Sequence, residues 1–404
     1  MHVSQTSGHC VSSFGGVASG RLDGPPSGMT GTQRLPAALT SLDAALAKLL
    51  DGTQPVEPID ISLADAIGCI AAETPPLAAG LPPANVAVSD GWAMRSRDLA
   101  GASSYAPLPL PRAPEWVEAG EKLPADCDCV IDENAVERVG TMFQVVSEAI
   151  PGEGIRRAGE DIAQGQTLVA AGQCITPTDV MIARATGRDA LRVRRPHVRI
   201  VDVPASDGQS VSAELIVASV RMAGGHVISA RAGARDLDAI VSALGDASAD
   251  LTLLVGGSGV GRNDAAVNAL ASRGTVFAHG LGLRPGRTGA VGRIGHTPVV
   301  AIPGAPSHAL SVWCAVAEPL LDRLTGRAPR GAIIRPLARK IASAIGFAEL
   351  VVLKAGNGNW LPLAAGDLPL AQVASADAWL IVPGESEGYA AGTPVGARPL
   401  RDFT

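Results

Sequence analysis

A multidomain α/β protein with added β domains is the fold class this sequence predicts, and three observations predict it. Between residues 196 and 327, apolar runs of strand length alternate with helical patterns, as in repeated strand–helix units over a parallel sheet. Residues 86–150, and those from 328 onward, instead hold short β-branched runs broken by Gly, Pro and Asp, which read as two β domains. The chain has 404 residues, more than one hydrophobic core usually serves.

Taken in order, residues 1–34 read as a disordered extension, Ser/Gly-rich and without the basic head and apolar core of a secretory signal. Met29 is a candidate start within it. Residues 41–50 predict a helix, since Leu42, Ala45, Leu46, Leu49 and Leu50 form one stripe and Ser41 or Thr40 can cap it. Residues 77–83 form a Pro-rich connector, and a helix is expected over 179–185. In the alternating segment, strands are expected at 198–203, 226–231, 251–255 and 299–302, with helices at 211–223, 236–244 and 307–324. Ligands of such a parallel sheet sit at the C-terminal ends of its strands.

Composition narrows the function. The hydrophobic fraction of 47% is ample for globular cores, while the aromatic fraction of 3% leaves their construction to Ala, Val, Leu and Ile. A net charge of −6 argues against nucleic acid or an anionic membrane as the main partner. No apolar run has the length to span a bilayer, and a cytoplasmic location is expected. Six cysteines spread over so long a chain form no disulfide framework. Cys127 and Cys129 would share a strand face, but without a second pair or nearby histidines they do not read as a zinc site.

The most informative segment is the run leading from residue 251 into Gly256, Gly257, Ser258, Gly259 and Gly261, followed by Asp264 and a helical pattern. A buried strand, a close-approach backbone and a helix N-terminus together suit a phosphate or another oxyanion. Its spacing is neither the dinucleotide fingerprint nor the P-loop, and by itself it reads equally as a tight strand-to-helix turn. Other candidates are Asp90 in a turn beside Trp92, Asp161 in Gly159-Glu160-Asp161-Ile162, the cations Arg284 and Arg287 around Pro285-Gly286, and the turn Pro303-Gly304-Ala305-Pro306-Ser307. Each alone has a structural explanation as a turn, cap or solvated charge.

In their order these motifs resemble the molybdopterin molybdenumtransferase family, the MoeA-type enzymes related to the gephyrin E domain. Residues 86–99 (V-A-V-S-D-G-W-A-M-R-S-R-D-L) are similar to the family's S-A-M-D-G-Y-A-V-R. Residues 119–124 and 126–130 resemble T-G-A-x-x-P and G-A-D-x-V, and Arg157-Ala158-Gly159-Glu160-Asp161-Ile162 with Gly165 resembles R-x-G-E-D-I-x-x-G. Residues 256–264 resemble G-G-V-S-V-G-x-x-D, Arg284-Pro285-Gly286-Arg287 resembles K-P-G-K-P, and Pro303 to Ser307 resemble P-G-N-P-V-S.

The resemblance implies an elongated dimer with its active site between subunits. It implies a discontinuous linker domain (35–85 and 151–195), an inserted β domain (86–150), a molybdopterin-binding parallel-sheet α/β domain (196–327) and a C-terminal β barrel (328–404). The implied reaction is insertion of molybdate into adenylylated molybdopterin with release of AMP, aided by Mg²⁺. Catalytic roles are then implied for Asp90, Asp161 and Asp264, with Asp264 and Asp90 holding the metal. Ligand binding is implied for Gly256, Gly257, Ser258, Gly259, Gly261, Arg284, Arg287, Pro303, Gly304, Pro306 and Ser307. A molybdoenzyme acceptor is the implied protein partner.

The chain also departs from the family pattern. Residues 204–209 (P-A-S-D-G-Q) replace the family's T-G-D-E-L, Ala119 replaces a threonine, Gly259 a serine, and Arg262 a residue that is often acidic. Gly346-Phe347-Ala348-Glu349-Leu350 lacks a family arginine. These losses favour an alternative reading, a non-catalytic paralogue that binds or carries molybdopterin or the finished cofactor.

Overall fold

The computed structural model describes residues 33–205, 208, 211–245 and 248–401. The predicted extension lies outside these residues except for Gln33 and Arg34, and Gln33 is buried rather than free. The first helix, α1 (Leu42–Leu50), begins one residue later than expected because Ser41 is its cap, the hydroxyl accepting from Ala44 N at 3.3 Å. Leu42, Ala45 and Leu49 form its buried stripe.

Strands Ile59–Ser62 and Ile70–Ala71 flank Ala190–Arg194 in a three-stranded sheet, so segments more than a hundred residues apart share one small layer. Helix α2 (Pro177–Ala185) belongs to this part and starts two residues before the expected position. Its Thr176–Asp179 capping box and Pro177 at the first turn fix that start. Between these segments, Gly91–Met94 pairs with Glu115–Val117 and Cys129–Ile131, and Met142–Val145 pairs with Leu108–Leu110 and Val136–Val139. Only Cys129 is on a strand, so Cys127 and Cys129 do not share a strand face as expected.

The α/β part contains β1 (His197–Asp202), α3 (Val211–Met222), β2 (His226–Arg231), α4 (Leu237–Leu244), β3 (Leu251–Val255), α5 (Ala266–Arg273), β4 (Thr275–His279), β5 (Ala290–Ile294) and β6 (Thr297–Ile302). Its sheet runs β2-β1-β3-β6-β5-β4. The first four strands are parallel, but β5 is antiparallel to both of its neighbours, β6 and β4, so the sheet is mixed and not the purely parallel one expected. Alternate residues serve opposite faces: Val198, Ile200, Leu253 and Val300 pack toward α3, while Val201, Leu254, Val299 and Ala301 pack toward α4 and α5. Pro298 falls inside β6 rather than before it, yet the rungs to β3 start only at Val299, so its missing N–H breaks none of them.

After β6, the single helix expected over 307–324 is three pieces in one rod. These are α6 (Pro306–Val312), a π-helical turn at Trp313–Ala317 and α7 (Glu318–Thr325), ended by Gly326 at φ +64°. Strand Leu281–Arg284 leaves the mixed sheet and pairs with Thr40–Ser41 on one side and Ala348–Gly356 on the other. The C-terminal strands continue through Ala378–Val382 and Pro394–Pro399 to Ile333–Pro336. Asn359–Ala365 pairs back on Ala348–Gly356, and a bridge from Leu337 to Trp360 joins the two ends of this path around a core that includes Trp360, Leu353 and Val382.

Candidate functional site

The C-terminal ends of β1, β3 and β6 open into a cavity of about 550 Å³. The loop after β3 builds one wall. Gly256 sits at φ +99° with its N–H on the Ile302 carbonyl at 2.9 Å, and a Cβ there would strike the Val203 carbonyl oxygen. Farther along, the loop folds around a carboxylate of its own chain. Asp264 Oδ2 accepts from Gly261 N at 2.9 Å, and Cβ atoms at Gly259 and Gly261 would lie 2.5 and 2.9 Å from that oxygen. Both glycines therefore leave room for Asp264.

Asp264 Oδ1 accepts from Arg235 Nη2 at 2.6 Å, and Arg235 Nη1 donates to the Pro204 carbonyl at 2.7 Å. The two side chains are 28% and 15% exposed, so this is a half-sheltered ion pair in the cavity wall. Around it stand Ser212, whose hydroxyl donates to Gly304 O at 2.7 Å, together with Arg262, Thr288 and His308. Ser258 is 1% exposed and lines the cavity, and its Oγ is one of the buried polar atoms with no hydrogen-bond partner among the described residues. An unmatched buried hydroxyl is costly unless something arrives to meet it.

Of the sequence candidates, Gly256, Gly257, Ser258, Gly259, Gly261, Asp264, Pro303 and Gly304 all line this cavity. Pro306 and Ser307 open α6 just beyond it. The other candidates lie elsewhere within one chain. Asp90 accepts from Ala119 N at 2.8 Å, which makes it a turn carboxylate of the β region, and Asp161 pairs with Arg156 at 3.0 Å. Arg284 lies 3.7 Å over the Phe347 ring with Nη1 3.6 Å from Glu349 Oε1, while Arg287 is exposed next to the lining residue Thr288. The cations that do line the cavity are Arg235 and Arg262.

Sequence reasoning passed over Arg235, although it follows the end of β2, where a parallel sheet gathers its ligand groups. Gln33 gave no sequence signal at all.

The donors present do not fit a resident Mg²⁺. Both Asp264 oxygens are bonded, one of them to a cation, the other lining carboxylate Asp202 faces Arg231 at 3.6 Å, Asp90 lies in a turn outside the cavity, and no group of three or more His, Cys, Asp or Glu suited to a metal occurs among the described residues. Among the described residues, Cys69, Cys129 and Cys314 are buried, while Cys127 and Cys174 are half-buried. Burial, with Asp128 beside it, pushes Cys129 up to about 12, and its Sγ donates to Met94 O at 3.5 Å.

Fold and cavity define a multidomain protein that carries an anion-suited pocket at the strand ends of a mixed α/β sheet. Residues 40–187 match the family model described as the MoeA N-terminal region (domain I and II), and residues 186–323 match the model of a probable molybdopterin binding domain. The chain belongs to the MoeA-type molybdopterin molybdenumtransferase family, as a divergent member. A molybdopterin molybdenumtransferase of Synechococcus elongatus is 29% identical over 77% of this chain and 87% of its own length. Molybdopterin molybdenumtransferase 2 of Mycobacterium tuberculosis is 28% identical over 63% of this chain and 72% of its own. The crystal structure of the molybdopterin biosynthesis MoeA protein of Pyrococcus horikoshii shares the fold at TM-score 0.69 and 22% identity, over 90% of this chain and 100% of that one. The family's place is in molybdenum cofactor biosynthesis. No helix among the described residues is long and apolar enough to cross a membrane.

Proposed function

We propose that this protein binds adenylylated molybdopterin in the cavity at the ends of β1, β3 and β6 and inserts molybdate into it, releasing AMP. The observation that carries the reading is the cavity itself, which falls within the residues matched by the molybdopterin-binding model. Its chemistry suits a phosphorylated pterin. The Ser258 hydroxyl has a hydrogen bond to give, Ser212 and His308 add polar contacts, and Arg235 and Arg262 offset phosphate charge. Arg287, exposed beside Thr288, adds a cation for the same ligand, whereas Arg284 is committed to Phe347 and Glu349. In this reading Asp90 and Asp161 reach the cavity from the second protomer of a homodimer, and the finished cofactor passes to a molybdoenzyme. No step is assigned to a protein-held magnesium ion.

One observation favours the carrier alternative: Asp264, the acid in the cavity with the strongest claim to chemistry, is tied to Arg235 at 2.6 Å. The two readings separate in one assay. The full chain is given adenylylated molybdopterin, molybdate and Mg²⁺, and AMP is followed. The enzyme reading expects AMP release that Asp264→Ala abolishes with little change in pterin affinity. Tight pterin binding without AMP above background means a carrier, and no binding at all overturns both.

A further inference from the structure

The loop's backbone carbonyls show a second layer of construction. Gln33 Nε2 donates to Gly257 O at 3.0 Å and to Gly259 O at 2.7 Å, while its Oε1 accepts from Val267 N at 2.7 Å and Asn268 N at 3.1 Å. The side chain's hydrogen-bonding capacity is thus filled, and the residue is 4% exposed. The carbonyl between those two, Ser258 O, is 3.0 Å from His279 Nε2, which donates to it in the tautomer that carries the proton there. Neither Gln33 nor His279 lines the cavity. Three successive carbonyl oxygens are therefore drawn to donors outside the cavity wall, beside the buried Ser258 hydroxyl that has no partner among the described residues.

We infer that Gln33 is a positioning residue of the pocket, tying the glycine-rich loop to the first turn of α5 so that an anionic ligand meets the Ser258 hydroxyl and not the carbonyl lone pairs. Carbonyl oxygens repel phosphate, and a loop this rich in glycine has little side-chain packing to fix its peptide orientations. Gln33 supplies that orientation from more than 220 residues away in sequence. It lies outside both spans matched by the family models. The carboxamide also occupies the N–H groups at the start of α5, which a phosphate would otherwise take. The ligand's phosphate is thereby assigned to the Ser258 side of the loop. The inference rests on the cavity being the pterin nucleotide site.

The test uses the full chain with adenylylated molybdopterin as probe and reads the dissociation constant and the thermal midpoint. Gln33→Ala is expected to weaken binding by about tenfold, the scale of a lost hydrogen-bonding arrangement. Gln33→Glu keeps the acceptor for Val267 and Asn268 but turns the donor into lone pairs facing two carbonyls. Burial raises the pKa of such a carboxyl, so lowering the pH from roughly 7 to 5 restores a proton to donate. The affinity of this variant, relative to wild type at each pH, is expected to recover over that range, which a merely structural loss would not do. A folded Gln33→Ala protein that binds within twofold of wild type overturns the inference, as does a flat pH ratio for Gln33→Glu. If the wild type itself does not bind the probe, the cavity reading fails first and takes this inference with it.

Discussion

At the scale of single residues, Asp264 organises the cavity wall, because one of its oxygens shapes the loop and the other holds Arg235. The pair is neither fully buried nor exposed, so its worth lies between the surface and interior cases. Arg235→Ala is expected to cost about 1–2 kcal/mol in urea unfolding, since it strands a half-sheltered carboxylate. The double variant with Asp264→Ala should cost less than the sum of the singles by about 1 kcal/mol, and additive values would show that the pair does not couple. In this chain the glycine at 259 is what leaves that carboxylate its place. A serine Cβ would lie 2.5 Å from Asp264 Oδ2, closer than real Cβ contacts come. Gly259→Ser is thus expected to cost about 1–3 kcal/mol in the native background and little once Asp264 is alanine. An equal cost in both backgrounds would place the strain elsewhere.

At the scale of elements, legibility followed the strength of local pattern. Helix α1 was readable because its stripe and its Ser41 cap lie within ten residues, and β3 because four of its five residues are apolar and the fifth is a β-branched Thr. Strands β4, β5 and Leu281–Arg284 went unread because Gly280, Gly282, Gly289 and Gly292 punctuate them like loops. The structure gives one such glycine its reason: at Gly292 a Cβ would run into the Thr275 carbonyl of the neighbouring strand. Of the site, the glycine-rich and Pro-Gly turns were legible as local motifs, whereas Arg235 and Gln33 depend on contacts no local window contains. The π-helical turn was likewise invisible in an unbroken helical pattern, and it buries Cys314 within the main core. Burial raises that thiol far above its ordinary value, with Glu318 adding to the rise. The folded state therefore keeps thiol protons that the unfolded state loses once pH passes the ordinary thiol range. Stability attributable to Cys314 and Cys129 is thus full below about pH 8 and declines as pH rises beyond about 9. Maleimide at pH 8 is expected to leave both thiols unlabelled in the native protein and to label them in urea, and native labelling of Cys314 would contradict its burial.

At the scale of the whole molecule, the proposed reaction asks acids that stand apart in one chain to meet at one site. Asp264 lines the cavity, whereas Asp90 and Asp161 stay bound to their own turns and line no part of it in the same chain. A two-fold dimer resolves this when each site takes Asp264 from one protomer and Asp90 from its partner. The consequence is arithmetic. On the proposed function, Asp90→Ala and Asp264→Ala homodimers would each lack one acid at both sites and are expected to be inactive in AMP release. A mixed dimer instead gathers both losses into one site and leaves the other intact. Random co-assembly makes half of all dimers mixed, so co-expression of the two inactive chains is expected to restore roughly a quarter of wild-type turnover. A site complete within each chain, or a chain that stays monomeric, predicts no recovery, because every site then lacks one acid or the other. Sedimentation of the mixture distinguishes those two failures, and an active Asp90→Ala homodimer would remove Asp90 from the reaction altogether.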